Sequence, residues 1–141
     1  RGPGFEQIKS ITKSLGLENV LTLMGHREDI PEIMAALDIQ VLASFTGEGT
    51  PQVIPQAFAM KTPLVATRVG SVPELLDQGE RGILVEPKNS IEIAQGIIKL
   101  IENPNIKIDN AEKAYEFCKS KLGIDRMIDE TISIYEETLK N

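Results

Sequence analysis

The sequence predicts an α/β chain whose parallel sheet is flanked by helices. Short apolar runs bounded by turn residues recur at Leu17 to Met24, Ile39 to Ala43, Pro63 to Thr67 and Gly82 to Val85. Segments with helical periodicity separate each run from the next, and strands that alternate with helices pair in parallel. The 141 residues, 41% of them apolar, suffice for one core, so a single domain over 1–141 is expected.

Taken in order, Phe5, Ile8, Ile11 and Leu15 recur at helical spacing, and Leu17 to Met24 reads as a turn and a strand. A short helix around Pro31 to Ala36 leads into the second strand at Ile39 to Ala43. A helix opening near Pro51 leads to the third strand at Pro63 to Thr67. Ser71-Val72-Pro73-Glu74 has the capping-box spacing of a short helix before the fourth strand. Asn89-Ser90-Ile91-Glu92 opens a longer helix with Ala94, Ile97, Ile98 and Ile101 on one face, ended by Asn103-Pro104-Asn105. Two further amphipathic helices occupy about 106–141, separated at Gly123. The first carries Ala111, Ala114, Tyr115 and Cys118, and the second Ile124, Met127, Ile128, Ile132, Tyr135 and Leu139. Cys118 sits on an apolar face with no His pattern near it, which makes it a core residue.

The segment richest in chemistry follows the second strand, from Ser44 to Met60. Gly47 and Gly49 let a backbone approach a ligand closely, and Pro51 has its φ preset for a first helical turn. Pro55 would break a helix interior, but one turn from the start its missing N–H falls among donors that are unpaired anyway. Free amides from Gln52 to Ile54 would then face the space above the strand's carboxyl end, a place suited to a diphosphate. Glu48 on that rim can accept hydrogen bonds from hydroxyls, although an exposed Glu is otherwise ordinary solvated surface.

With Glu48-Gly49, then Ala57, Ala59, Pro63, Val65, Ala66 and Thr67, this segment resembles the signature of the retaining glycosyltransferases of family 4, which share the GT-B fold. Gly70-Ser71-Val72-Pro73-Glu74 resembles the Gly-Gly-x-x-Glu turn that follows it in that family. Leu17 to Gly25 and Ala36 to Ile39 resemble the two preceding elements, and Gly82 to Pro87 the next strand and turn, so nearly the whole chain is covered. The resemblance implies a Rossmann-like, carboxyl-terminal, donor-binding domain. Its reaction would move a hexosyl unit from a UDP- or GDP-linked sugar to an acceptor hydroxyl, with retention. Glu48 would be the catalytic residue that orients the sugar. Gly49, Thr50, Pro51, Gln52 and Val53 would bind the donor, the amides from Thr50 to Ile54 except that of the proline stabilising its diphosphate; Gln56 would contact ribose, and Gly25, His26 and Arg27 would flank the base. Arg27 can stack on that base or pair with Asp29, Arg68 can meet phosphate or lie on the surface, and Glu74 is expected to cap its helix. Cell-envelope polysaccharide or glycolipid synthesis is the family's commonest setting.

Two positions depart from the signature. Its second Glu falls on Gln56, which offers ribose a neutral amide instead of a carboxylate, and the Gly that closes the helix falls on Lys61. Lys61 in a left-handed cap would cost on the order of 1 kcal/mol. Arg1-Gly2-Pro3-Gly4 is turn chemistry where the family has two strands, so the domain reads as truncated at its amino end. Those strands carry the family's diphosphate-neutralising Arg and Lys, and the acceptor would bind mainly a missing amino-terminal domain. The chain alone is expected to be inactive, being either an excerpt or completed by another segment.

Composition narrows the alternatives. A net charge of −6 and the absence of Trp argue against a nucleic-acid surface or basic membrane patch, so any membrane association would come through the missing part. One cysteine accords with a reducing cytoplasm. There is no Asp-x-Asp, paired-Cys or spaced-His pattern and no phosphate-binding glycine loop, so neither a metal nor a further cofactor is expected. The competing readings are a non-catalytic nucleotide-sugar-binding module and a plain α/β interaction domain.

Overall fold

The computed structural model describes residues 2 and 4–139. Arg1 and Pro3 of the predicted opening turn, and Lys140 and Asn141 at the end of the predicted last helix, lie outside the described residues. The chain divides into two compact units, 1–30 and 31–141.

In the first unit α1 spans Phe5–Ser14. Its buried position is Thr12, whose hydroxyl donates to the Ile8 carbonyl at 2.8 Å, while Ile8, Ile11 and Leu15 remain 48, 49 and 64% exposed. The helix ends in a Schellman cap: Leu17 N–H bonds the Thr12 carbonyl and Gly16 N–H the Lys13 carbonyl, with Gly16 at φ +66°. The strand expected over Leu17 to Met24 does not form. Residues 18–20 are turn and 17 and 21–25 irregular, because a strand exists only through a ladder partner and no described segment pairs with this one.

The second unit holds a three-stranded parallel sheet in the order β1 (Gln40–Leu42), β2 (Leu64–Thr67), β3 (Ile83–Val85). Leu42 pairs with Ala66, and Thr67 with Val85. Each strand is a predicted apolar run, and β2, between the other two, is buried along its whole length. The helices are α2 (Ile30–Ala36, beginning at the junction), α3 (Val53–Ala59), α4 (Val72–Leu75), α5 (Ser90–Glu102), α6 (Pro104–Lys121) and α7 (Ile124–Leu139). Alternation along β2 divides the core. Leu64 and Ala66 pack with Ile54, Phe58, Val72, Leu76 and Ala114, whereas Val65 packs with Val85 and Leu100. Phe58, Ile54 and Leu100 are fully buried, each worth about 1.5–3 kcal/mol of transfer free energy.

On α5 the inward residues are Ile93, Gly96, Ile97 and Leu100, whereas Ile98 and Ile101 are 49 and 65% exposed. The contact is centred on Gly96, where a Cβ would stand 3.0 Å from Val65 Cγ1 and 3.1 Å from Ile83 Cγ2, so the helix faces the sheet through its smallest residue. Asn89 caps α5 by accepting the Glu92 N–H at 3.1 Å, and Glu92 in turn accepts the Glu86 N–H at 2.8 Å. On α6, Ala111 and Ala114 are buried as the pattern predicts. Pro104 stops α5 and supplies the first turn of α6.

Helix α3 ends in the same motif as α1. Thr62 N–H bonds the Ala57 carbonyl at 2.9 Å, Lys61 N–H bonds the Phe58 carbonyl at 3.1 Å, and Lys61 stands at φ +54°. The ammonium of Lys61 meets Glu112 at 2.8 Å and the Tyr115 ring at 4.6 Å, both at an exposed position. Lys61→Gly removes the left-handed strain together with these surface contacts, whereas Lys61→Ala removes only the contacts. Denaturant unfolding should therefore find the Gly variant more stable than the Ala variant by about 1 kcal/mol; equal stabilities would contradict the strained cap.

Cys118, packed against the α3 side of the core, directs its thiol to the Pro55 carbonyl at 3.7 Å, and burial pushes its pKa up. The unfolded chain therefore gives up this proton first. Stability is retained below the ordinary thiol pKa of about 8.5 and declines as pH rises above it. Unfolding curves from pH 7 to 10 should show that decline, flattened in Cys118→Ser, and alkylation at pH 8 should be at least about tenfold slower in the native than in the denatured protein.

Candidate functional site

The carboxyl edge of the sheet is organised by the residue that ends β2. Thr67 is 1% exposed, and its backbone pairs with Val85 of β3. Beyond Leu42 the β1 ladder has ended. Thr67 Oγ1 takes over by donating to the Ser44 carbonyl at 2.5 Å, with the Leu42 carbonyl at 3.3 Å as a longer second acceptor. This satisfies a buried hydroxyl and fixes where the chain leaves β1.

From that point Ser44 reaches forward, its Oγ donating to Glu48 Oε1 at 2.5 Å. The backbone of Glu48 is held from the opposite side. Ser71 N–H lies 3.4 Å from the Glu48 carbonyl, and Ser71 Oγ donates to the Gly49 carbonyl. Ser71 sits at the N-cap of α4 but makes no side-chain cap bond, so the predicted capping box is not formed and its hydroxyl serves the neighbouring loop. Glu74 is exposed and receives no hydrogen bond among the described residues. Gly70, at φ +50°, makes the approach possible: a Cβ there would lie 1.9 Å from the Glu48 carbonyl oxygen. At Gly47 and Gly49 an added Cβ meets nothing within 4 Å, so the space over this loop is open.

Glu48, Gly49, Thr50, Pro51, Gln52 and Val53 thus form one continuous rim between β1 and α3, with Glu48 half-buried, Gly49, Thr50 and Gln52 exposed, and Pro51 buried. The helix begins at Val53, after Gln52 as N-cap, and not at Pro51. Ile54 N–H is taken by the Pro51 carbonyl at 3.1 Å, a tight turn that removes it from the predicted set of free amides. Thr50, Gln52 and Val53 N–H groups have no acceptor among the described residues. Pro55 stands in the first turn, where its missing N–H leaves no acceptor unpaired. Gln56 is exposed one turn into α3, its side chain free of hydrogen bonds among the described residues.

Gly25, His26 and Arg27 belong to the first unit and are exposed. Of the two partners weighed for Arg27, the structure has Asp29: Nε donates to Oδ1 at 2.7 Å and Nη2 to Oδ2. The pair raises the Arg27 pKa and lowers that of Asp29, each mainly through this hydrogen bond. Two further cations lie past the strand ends. Arg68 pairs with Glu86 at 3.3 Å and with Gln78 Oε1 at 3.3 Å, and the Lys88 ammonium stands 5.6 Å from the ring centre of the exposed Phe45. Among the described residues no group of three or more His, Cys, Asp or Glu side chains could hold a metal ion, and no helix is long and apolar enough to cross a membrane.

Ser44, Thr67, Gly70 and Ser71 stand out from the structure as holders of the loop, and sequence reading assigned them no such part. The available signal was a hydroxyl residue ending a buried strand, followed within a few positions by Gly-Ser.

Residues 1–103 match the family described as glycosyl transferases group 1. Among curated relatives, the N-acetyl-alpha-D-glucosaminyl L-malate synthase of Bacillus anthracis is 26% identical over 99% of the chain, which spans 36% of that protein. The HepE protein of Anabaena, solved with UDP and with UDP-glucose, is 32% identical, with a TM-score of 0.84 over 92% of this chain and 36% of its own. A carboxyl-terminal domain of a glycosyl transferase group 1 protein (LpcC) from Francisella tularensis is 31% identical, with a TM-score of 0.72 over 84% of this chain and 62% of its own. The chain thus spans little more than a third of the Bacillus and Anabaena proteins, and its parallel sheet is that of the GT-B fold. The chain belongs to the glycosyl transferases group 1 family and has the fold of a GT-B carboxyl-terminal domain.

Proposed function

We propose that this domain serves a retaining, family 4 type hexosyltransferase acting in the cytoplasm. It would take a nucleoside diphosphate sugar as donor and a hydroxyl of a polysaccharide or glycolipid precursor as acceptor. The observation that carries this reading is the Glu48-to-Val53 rim, fixed at the carboxyl edge of the parallel sheet, the edge at which open α/β sheets bind ligands. Uridine is the first base to test, since UDP and UDP-glucose are the ligands of the Anabaena protein.

In this reading Glu48 accepts hydrogen bonds from the sugar hydroxyls while Ser44 holds one of its oxygens. The free amides of Thr50, Gln52 and Val53 meet the departing diphosphate as preorganised donors. Helix α3 is short, so these individual donors matter more than its dipole. Gln56 meets ribose through one acceptor and one amide donor. Gly25, His26 and Arg27 flank the base, with Arg27 already committed to Asp29. The diphosphate is neutralised by basic groups of the complete protein, without a divalent ion. Acceptor binding belongs to its other domain.

Gln56 in place of the signature's second Glu favours one alternative, a nucleotide-sugar-binding relative without turnover. Transfer of labelled sugar by the complete protein decides between the two.

Calorimetric titration of the full-length protein with UDP, GDP, ADP and their glucose and mannose conjugates, in chelator, tests the reading. One nucleotide should bind saturably, its sugar conjugate should bind more tightly, and Glu48→Ala should abolish that sugar increment while leaving the nucleotide affinity in place. A requirement for metal, or an increment untouched by Glu48→Ala, would contradict it. Gln56→Glu should tighten nucleotide binding about tenfold, the difference between a neutral and a charged hydrogen bond; unchanged affinity would remove Gln56 from the ribose.

A further inference from the structure

We infer that Ser71 is a positioning residue for donor recognition: its hydroxyl, from the turn after β2, holds the Gly49 carbonyl and so fixes the Gly49-Thr50 peptide, whose N–H faces the donor diphosphate. The inference rests on the donor-binding reading above and extends it to a residue that touches no substrate.

Three features of the turn support it. Gly70 has room for no Cβ, so the turn is seated directly against the Glu48 carbonyl. Ser71 then supplies both of its donors to that loop, its N–H to the Glu48 carbonyl at 3.4 Å and its hydroxyl to the Gly49 carbonyl. The backbone of Ser71 is helical, at φ −82° and ψ −2°, and not in the extended N-cap conformation, so its hydroxyl is turned from the amides of its own helix and is available to the loop. In the Gly-Gly-x-x-Glu turn that this segment resembles, the matching position has no side chain and can supply only the amide. The hydroxyl is therefore an additional hold on a loop whose glycines leave it otherwise loose.

The carboxylate and backbone of Glu48 are gripped by different residues, Ser44 and Ser71 respectively. Removing the Ser71 hydroxyl leaves the Glu48 carboxylate its Ser44 partner and the Glu48 carbonyl its Ser71 N–H, but frees the Gly49-Thr50 peptide to turn. The loss should then fall on the Thr50 N–H and its diphosphate contact, which UDP and UDP-glucose share, and not on the sugar hydroxyls that the Glu48 carboxylate meets.

Ser71→Ala keeps the helical backbone and deletes only the hydroxyl, and Ser71→Thr restores one. In the full-length protein, Ser71→Ala should keep its melting temperature and bind UDP about three- to tenfold more weakly than the unsubstituted protein. UDP-glucose should weaken by the same factor, so that its extra affinity over UDP is kept, and Ser71→Thr should recover both. Backbone order parameters at Gly49 and Thr50 should fall in Ser71→Ala and not in Ser71→Thr. UDP affinity unchanged in Ser71→Ala, or weakening of UDP and UDP-glucose together with a lowered melting temperature, would overturn the positioning role. If the unsubstituted protein binds no nucleotide sugar, with GDP conjugates tried as well as UDP, the donor-binding reading itself fails. The order parameters of Gly49 and Thr50 then decide separately whether Ser71 holds the loop.

Discussion

A close approach of two backbones governs the candidate site. The turn after β2 lies so near the loop after β1 that a side chain at residue 70 would overlap the Glu48 carbonyl oxygen. In a parallel sheet the strands leave the same edge side by side, and their exits compete for the space above it. Here the competition is resolved by a glycine that permits contact and by hydroxyls that satisfy the carbonyls brought together. Without that contact, the Glu48 loop would be a mobile tether with two glycines open to solvent on one side.

The same economy holds beneath the edge. Strand β2 is covered on both faces, so its alternating residues commit α3 and α6 to one side and α5 to the other. Thr67 is the last residue of that strand, and its buried hydroxyl transfers the position of the core to the Ser44 carbonyl. Rigidity at the rim is therefore borrowed from packing below it, the condition under which a carboxylate and a few free amides act as preorganised groups.

What could be read in the sequence follows how local each determinant is. Pro63 to Thr67 was legible as a buried strand because its run is apolar on both faces, and the Asn89-to-Glu92 cap because its partners are three residues apart. The left-handed Lys61 was expected only because the resembled signature has its helix-closing Gly at that position, and the structure places it at φ +54°. Leu17 to Met24 failed as a strand because strandedness depends on a partner elsewhere. The face of α5 was misplaced because the contact is made by Gly96, a residue with no hydrophobic signal. Ser71 was misread for a similar reason: the choice between its own helix and a carbonyl 22 residues away is tertiary. Glu48 stood out for its place on a glycine-bounded loop, but the residues that hold it did not.

The central claim is that the rim from Glu48 to Val53 receives the donor. Titration of the 15N-labelled full-length protein with UDP-glucose, followed residue by residue in amide spectra, tests it most directly. The account predicts that the largest shifts fall on the amides of Gly49, Thr50, Gln52 and Val53, and that UDP alone reproduces those of Gln52 and Val53 more fully than those of Gly49. Saturable binding whose shifts bypass this loop would contradict it.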